Sequence, residues 1–263
     1  MYQFIKIFSS TIGTFSLCAG MGLAAIAFVV VRQLHKIHSS SKLENEVLIA
    51  IPFTLLTGVA GGYLLDLLLR GGIQALWLNP RGYGLTFYGW LIACGVFLLF
   101  YGKCRKVRPT LLLNLFLPSF ALAQAFGRIG CFLGGCCYGR PAKFLGVSYP
   151  EGSLPYIHHG STPLIPVQLY ESAYLLITFV ILFKVIRFNH RGAWYLILMP
   201  AGRFWLEFCR NDDRGTIGCD ILSPSQWISA GLFLLGICWL MAIKYNHKKR
   251  KISVEALLKA SKL

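Results

Sequence analysis

Long runs of apolar residues separated by short polar stretches dominate this chain. A helix that crosses ~30 Å of hydrocarbon needs about 20 mostly apolar residues, at about 1.5 Å of rise per residue. Seven runs meet that requirement, at about residues 8–31, 47–69, 83–101, 110–133, 165–183, 193–209 and 225–243. They take up more than half of the 263 residues, and the longest gap, about 134–164, has the length of a single loop. The pattern predicts an all-α integral membrane protein of seven transmembrane helices. It forms a single membrane domain over 1–263 that ends in a basic tail at 244–263. No fixed-period repeat, Gly/Ser linker or inverted-repeat symmetry is visible. The first run reads as a span and not as a cleaved signal. It is too long, and Phe15-Ser16-Leu17-Cys18 lacks the small residue wanted before a cut.

Composition narrows the class. Hydrophobic residues make up 56% of the chain and charged residues 14%, where soluble domains are about one quarter charged. A disordered chain, a disulfide scaffold and an ordinary soluble enzyme are excluded. The net charge of +16 comes from 26 Lys and Arg against 10 Asp and Glu. Its placement is what matters. The segments after spans 1, 3 and 5, with the tail, hold 17 basic residues, and the alternate segments hold 7. By the positive-inside rule the N-terminus lies outside and the C-terminus in the cytoplasm. Charge spread by topology in this way argues against nucleic acid as a partner.

Two basic residues remain, Arg128 and Arg203, and both fall within spans. Charge inside a span is costly and marks a candidate functional site. Arg128 lies near the outward end of span 4. Arg203 and Glu207, four residues apart in the outer half of span 6, share a helix face and can pair. Gln168, Tyr170 and Glu171 open span 5 from outside, and Tyr88 and Trp90 open span 3. The unusual polar groups thus converge on the outer half of the membrane. Two arginines at headgroup depth suit a phosphate, whose oxygens take bidentate guanidinium forks. The blander readings are a structural Arg203–Glu207 ion pair, an interfacial aromatic belt for Tyr88 and Trp90, and an interhelical hydrogen bond for Gln168.

Cys131, Cys136 and Cys137 follow Arg128 as Cys-Phe-Leu-Gly-Gly-Cys-Cys, with Cys209 and Cys219 towards the same side. This is not a repeated Cys-x-x-Cys, and no histidine cluster completes a zinc set, so no metal is expected. A disulfide is open in an oxidising compartment. His158 and His159 read as solvated loop residues. His-Glu-x-x-His, Gly-x-Ser-x-Gly and P-loop motifs are absent.

Four blocks together resemble the prolipoprotein diacylglyceryl transferase family. They are Gly84-Leu85-Thr86-Phe87-Tyr88-Gly89-Trp90-Leu91-Ile92, Gly127-Arg128-Ile129-Gly130-Cys131-Phe132 through Gly139-Arg140-Pro141, Pro166-Val167-Gln168-Leu169-Tyr170-Glu171, and Gly202-Arg203-Phe204-Trp205-Leu206-Glu207-Phe208-Cys209-Arg210. They stand in family order over about residues 80–215. The resemblance implies a multi-pass enzyme of the bacterial plasma (inner) membrane with its active site towards the outer half. Such an enzyme moves the diacylglyceryl group of phosphatidylglycerol to the lipobox cysteine of a secreted preprotein, forming a thioether and releasing glycerol phosphate. It implies no metal and no organic cofactor. Arg128 and Arg203 match the family's essential arginines and Glu207 their acidic partner. Gln168, Tyr170 and Glu171 match the conserved opening of span 5, and Arg140 and Arg210 join Arg128 on the substrate side.

The chain departs from the family at several of these positions. Tyr88 and Trp90 stand where the family usually has His and Gly, Cys131 and Cys136 where it has Asn and Glu, and Met199 where an aromatic is common. The expected chemistry is displacement at the glyceryl carbon, with Arg128 and Arg203 neutralising the departing phosphate and Tyr88 or Glu171 as the base. The departures keep two alternatives open, an enzyme of this fold with another acceptor and a non-enzymatic lipid-binding membrane protein.

Overall fold

The computed structural model describes residues 4–7, 10–37, 40–69, 86–211 and 222–260. A short antiparallel hairpin, β1 (Phe4–Ile7) and β2 (Ser10–Gly13), precedes the helices. The helices are α1 (Thr14–Lys36), α2 (Ser41–Leu69), α3 (Phe87–Cys104), α4 (Pro109–Gly134), the short α5 (Leu154–His159), α6 (Val167–Lys184), α7 (Arg191–Glu207) and α8 (Pro224–Ala260).

Six of these helices are long and apolar enough to cross a membrane: α1, α2, α3, α4, α6 and α8. The remaining expected span is α7. It has 17 residues and carries Arg191, Arg203 and Glu207, which lower its apolar character. One expected boundary shifts. The span read as 8–31 begins at Thr14, because the preceding residues pair as strands. The segment read as the basic tail, 244–263, continues α8 in helical form as far as Ala260. The expected 134–164 loop contains α5 and is pinned by bridges between Pro141 and Leu164 and between Val147 and Leu164. Gly84, Leu85 and Cys219 lie outside the described residues.

Helix α4 is the centre of the bundle and packs against α1, α3, α6 and α7. Its Phe116 and Phe120 are fully buried, and the Phe120 ring meets Trp90 of α3 edge-on with centroids 4.5 Å apart. Without a hydrophobic drive in lipid, such contacts depend on close backbone approach by small residues. The α1–α4 seam shows this, since a Cβ on Gly22 would lie 2.9 Å from the Ala123 carbonyl oxygen, and one on Gly130 2.9 Å from Cys18 Cβ.

Gly202 is tighter still. A Cβ there would run into the Tyr174 ring, which is fixed by its hydroxyl donating to the Leu198 carbonyl at 2.7 Å. Gly202→Ala is therefore expected to destabilise the protein by about 1–3 kcal/mol through overpacking. At Gly95 a Cβ meets nothing within 4 Å, so Gly95→Ala serves as the matched control in a thermal-unfolding comparison in detergent.

Candidate active site

The C-terminal ends of α4 and α7 meet the N-terminal ends of α6 and α8 at one end of the bundle, and the charged residues gather there. Arg128 Nε contacts Glu171 Oε1 at 2.9 Å, and Arg203 Nη1 contacts the other oxygen of Glu171 at 2.9 Å. Arg203 Nη2 reaches Glu207 Oε2 at 2.7 Å, and Arg210 Nε approaches the same oxygen at 3.7 Å. The result is a ladder, Arg128–Glu171–Arg203–Glu207–Arg210, whose side chains are only 2–11% exposed. The four-residue spacing on α7 forms one rung, and α6 threads Glu171 between the two in-span arginines. Buried charges are tolerated only when closely paired, and here each carboxylate faces two guanidiniums.

The other expected residues divide between this ladder and its surroundings. Tyr88 is buried on α3, and its hydroxyl hydrogen-bonds to Ser229 Oγ of α8. It lies within electrostatic reach of Arg203, Glu171 and Glu207. Gln168, fully buried, does not reach the ladder and instead donates Nε2 to the Cys136 carbonyl at 2.7 Å. Tyr170 points away, 37% exposed, with its hydroxyl on the Leu145 carbonyl at 3.2 Å. Arg140 is exposed and donates Nε to the Arg210 carbonyl at 3.2 Å. Through this contact and the Gly139–Arg210 bridge, the loop after α4 fastens the chain leaving α7. The two loop histidines are not simply solvated. His158 Nδ1 hydrogen-bonds to the Tyr138 hydroxyl at 2.7 Å, and His159 packs edge-on against the Tyr138 ring.

The cysteine segment folds back on α4. Gly135 caps the helix in the left-handed conformation (φ 73°), and Cys137 is also left-handed (φ 62°). The Cys136 amide donates to the Cys131 carbonyl at 3.1 Å. This turn brings the sulfurs of Cys131, Cys136 and Cys137 within 4.8 Å of one another, a convergence that their linear spacing does not announce. Hydrogen bonds from Cys131 and Cys136, then the guanidiniums of Arg210 and Arg128, hold the Cys137 thiol below its ordinary range.

The sequence profile of prolipoprotein diacylglyceryl transferase matches residues 3–242. This chain belongs to the prolipoprotein diacylglyceryl transferase family. Phosphatidylglycerol–prolipoprotein diacylglyceryl transferase 2 of Clostridium perfringens is 30% identical over 256 residues, covering 94% of each chain. The Clostridium tetani phosphatidylglycerol–prolipoprotein diacylglyceryl transferase is 33% identical over 225 residues, covering 82% of this chain and 86% of that one. A transferase of the same name from Dehalococcoides mccartyi is 31% identical over 185 residues, about two thirds of each chain. Membership makes this chain a multi-pass membrane transferase of lipoprotein biosynthesis.

In this family member, four residues beside the ladder escaped the sequence reading. Gln124, one turn before Arg128 on α4, donates Nε2 to Glu171 Oε1 at 3.4 Å. Ser223 and Ser225 donate to Glu207 Oε1 at 3.2 and 2.7 Å, and Ser229 holds Tyr88. Ser223-Pro224-Ser225-Gln226 forms a capping box at the start of α8. The Ser223 amide donates to Gln226 Oε1 at 2.9 Å, and the Gln226 amide to Ser223 Oγ at 3.3 Å. The box is readable in the sequence, but its contact with Glu207 is long-range. Glu207 therefore sits against a helix N-terminus, which favours its negative charge. Because hydrogen bonds to charged groups are worth about 1.5–3 kcal/mol, Ser225→Ala is expected to lower stability by roughly that amount, read by thermal unfolding, with Ser223→Ala smaller.

Proposed function

We propose that this protein transfers the diacylglyceryl group of phosphatidylglycerol to the lipobox cysteine thiol of prolipoproteins, forming a thioether and releasing glycerol phosphate. The observation that carries the reading is the buried Arg128–Glu171–Arg203–Glu207–Arg210 ladder. The acceptor sulfur attacks the glyceryl carbon of the lipid, and the carbon–oxygen bond to phosphate breaks. Arg128 and Arg203 neutralise the charge that develops on the leaving phosphate, in a site where fixed donors need no reorganisation. Glu171 and Glu207 hold the guanidiniums in position. Arg140, Arg210, Gln168, Tyr170 and Glu171 complete the substrate side, Gln168, Arg140 and Tyr170 by fixing the loop after α4. Of the two candidate bases, Glu171 is engaged by both in-span arginines and the Tyr88 hydroxyl by Ser229.

In the membrane, α7 serves as a seventh span, with the N-terminus outside, the C-terminus in the cytoplasm and residues 244–263 on the cytoplasmic side. This orientation rests on the 17-to-7 division of basic residues. It sets the ladder in the outer half of a bacterial plasma membrane. Exposed Trp205, Phe208 and Trp227 at the same end of the bundle suit the headgroup layer. The whole chain acts as one membrane domain.

A second reading keeps the donor lipid and changes the acceptor. It is favoured by Tyr88, Cys131 and Cys136 at positions where the family usually carries other residues. Purified protein incubated with labelled phosphatidylglycerol and a lipobox peptide separates the two. Diacylglyceryl mass on the peptide cysteine supports the transferase reading, and glycerol phosphate release without peptide modification supports another acceptor. No lipid turnover overturns both.

A further inference from the structure

The thiol cluster beside Arg128 has the form of a metal-binding set. The sulfurs of Cys131, Cys136 and Cys137 lie within 4.8 Å of one another. With zinc–sulfur bonds of about 2.3 Å, sulfurs bound to one ion stand roughly 3.8–4.0 Å apart, so closure requires shifts of less than about 1 Å. The turn is braced on several sides. Gly135 and Cys137 adopt left-handed backbone, the Gln168 amide holds the Cys136 carbonyl, and the Cys136 amide holds that of Cys131. Among the described residues no further His, Cys, Asp or Glu joins the group. Three protein ligands leave a tetrahedral ion one open position, the arrangement of catalytic zinc sites. Arg128 lies within electrostatic reach of Cys131 and Cys137, and Arg210 of Cys137, so guanidiniums face what would be a net negative zinc–trithiolate centre.

We infer that Cys131, Cys136 and Cys137 bind a zinc ion whose fourth ligand is the acceptor thiol. The inference rests on the transfer reaction proposed above and deepens it. A thiol that coordinates zinc gives up its proton to solvent and is held as thiolate. Its lone pair then forms the sulfur–carbon bond as the glyceryl carbon–phosphate oxygen bond breaks. The departing electron pair stays on the phosphate oxygen, between Arg128 and Arg203, and no oxidant or reductant takes part. Zinc thus does the work of a general base, at a site where Glu171 is tied between two arginines and the Tyr88 hydroxyl is engaged with Ser229.

The test uses the full-length protein in detergent micelles, stripped with a chelator and titrated with zinc and, for spectroscopy, with cobalt(II). One ion per chain is expected, with a thiolate-to-cobalt charge-transfer band that disappears in Cys136→Ser and Cys137→Ser. A lipobox peptide should intensify the band, and the same peptide with serine for cysteine should not. No stoichiometric binding by the wild-type protein, or a band that survives in both variants, overturns the metal site. If such a protein still modifies the peptide, the transferase reading stands without it. Binding with a band indifferent to the peptide thiol overturns the role in activating the acceptor. A responsive band with no lipid turnover supports the metal site and overturns the transfer reaction instead.

Discussion

Arg203→Lys leaves the protein folded and lowers phosphatidylglycerol turnover by at least about a hundredfold, the scale on which a single preorganised charge donor contributes to a transition state. The structure gives the reason for expecting so large an effect from a charge-conserving change. Arg203 uses one guanidinium nitrogen for Glu171 at 2.9 Å and another for Glu207 at 2.7 Å, spanning two helices at once. A lysine ammonium is a point charge on a flexible stem and cannot span both carboxylates while presenting a planar fork to phosphate. Turnover measured as glycerol phosphate release, with thermal unfolding of the same sample, separates chemistry from folding. Full activity in Arg203→Lys would remove the arginine from the reaction.

Glu171→Gln has the largest expected effect on stability. The carboxylate lies between Arg128 and Arg203, and an amide in its place leaves two guanidiniums facing each other away from water. Removing one partner of a buried ionic group costs about 3–5 kcal/mol, read as a lower unfolding midpoint in detergent. Glu171→Asp, which retains the charge, should recover part of the loss. The Glu46–Arg105 pair at the opposite end of the bundle is the contrast. There the Arg105 side chain is 51% exposed, and Arg105→Gln is expected to cost little that can be measured. Equal effects at the two sites would contradict the account of the ladder.

Much of the ladder was legible in the sequence for a simple reason. Arg128, Arg203 and Glu207 are charges within apolar runs, where charge is expensive enough to require a cause, and helical spacing pairs the last two. Arg210 carried less signal, because it falls just past a span and looks like any residue of an outer loop. Gln124 was invisible. It is neutral, and its contact with Glu171 depends on how α4 meets α6. The second strand of the N-terminal hairpin was hidden because a run of about 20 residues counts Ile12 as apolar whether it sits in strand or helix. The convergence of the three sulfurs depended on the left-handed backbone at Gly135 and Cys137, which no spacing rule supplies. In α8 the span and the helix have different limits. A change from apolar to basic residues marks where a helix leaves lipid, and it need not mark where the helix ends.

The ladder sets Arg128 and Arg203 at the place where a phosphate is to leave, each already held by a carboxylate. A phosphodiester headgroup brings one negative charge to them. Once the carbon–oxygen bond breaks, the phosphate becomes a monoester that takes on more negative charge. The arginines that help it depart also hold the product, so freeing the glycerol phosphate is the step of the cycle that these residues oppose.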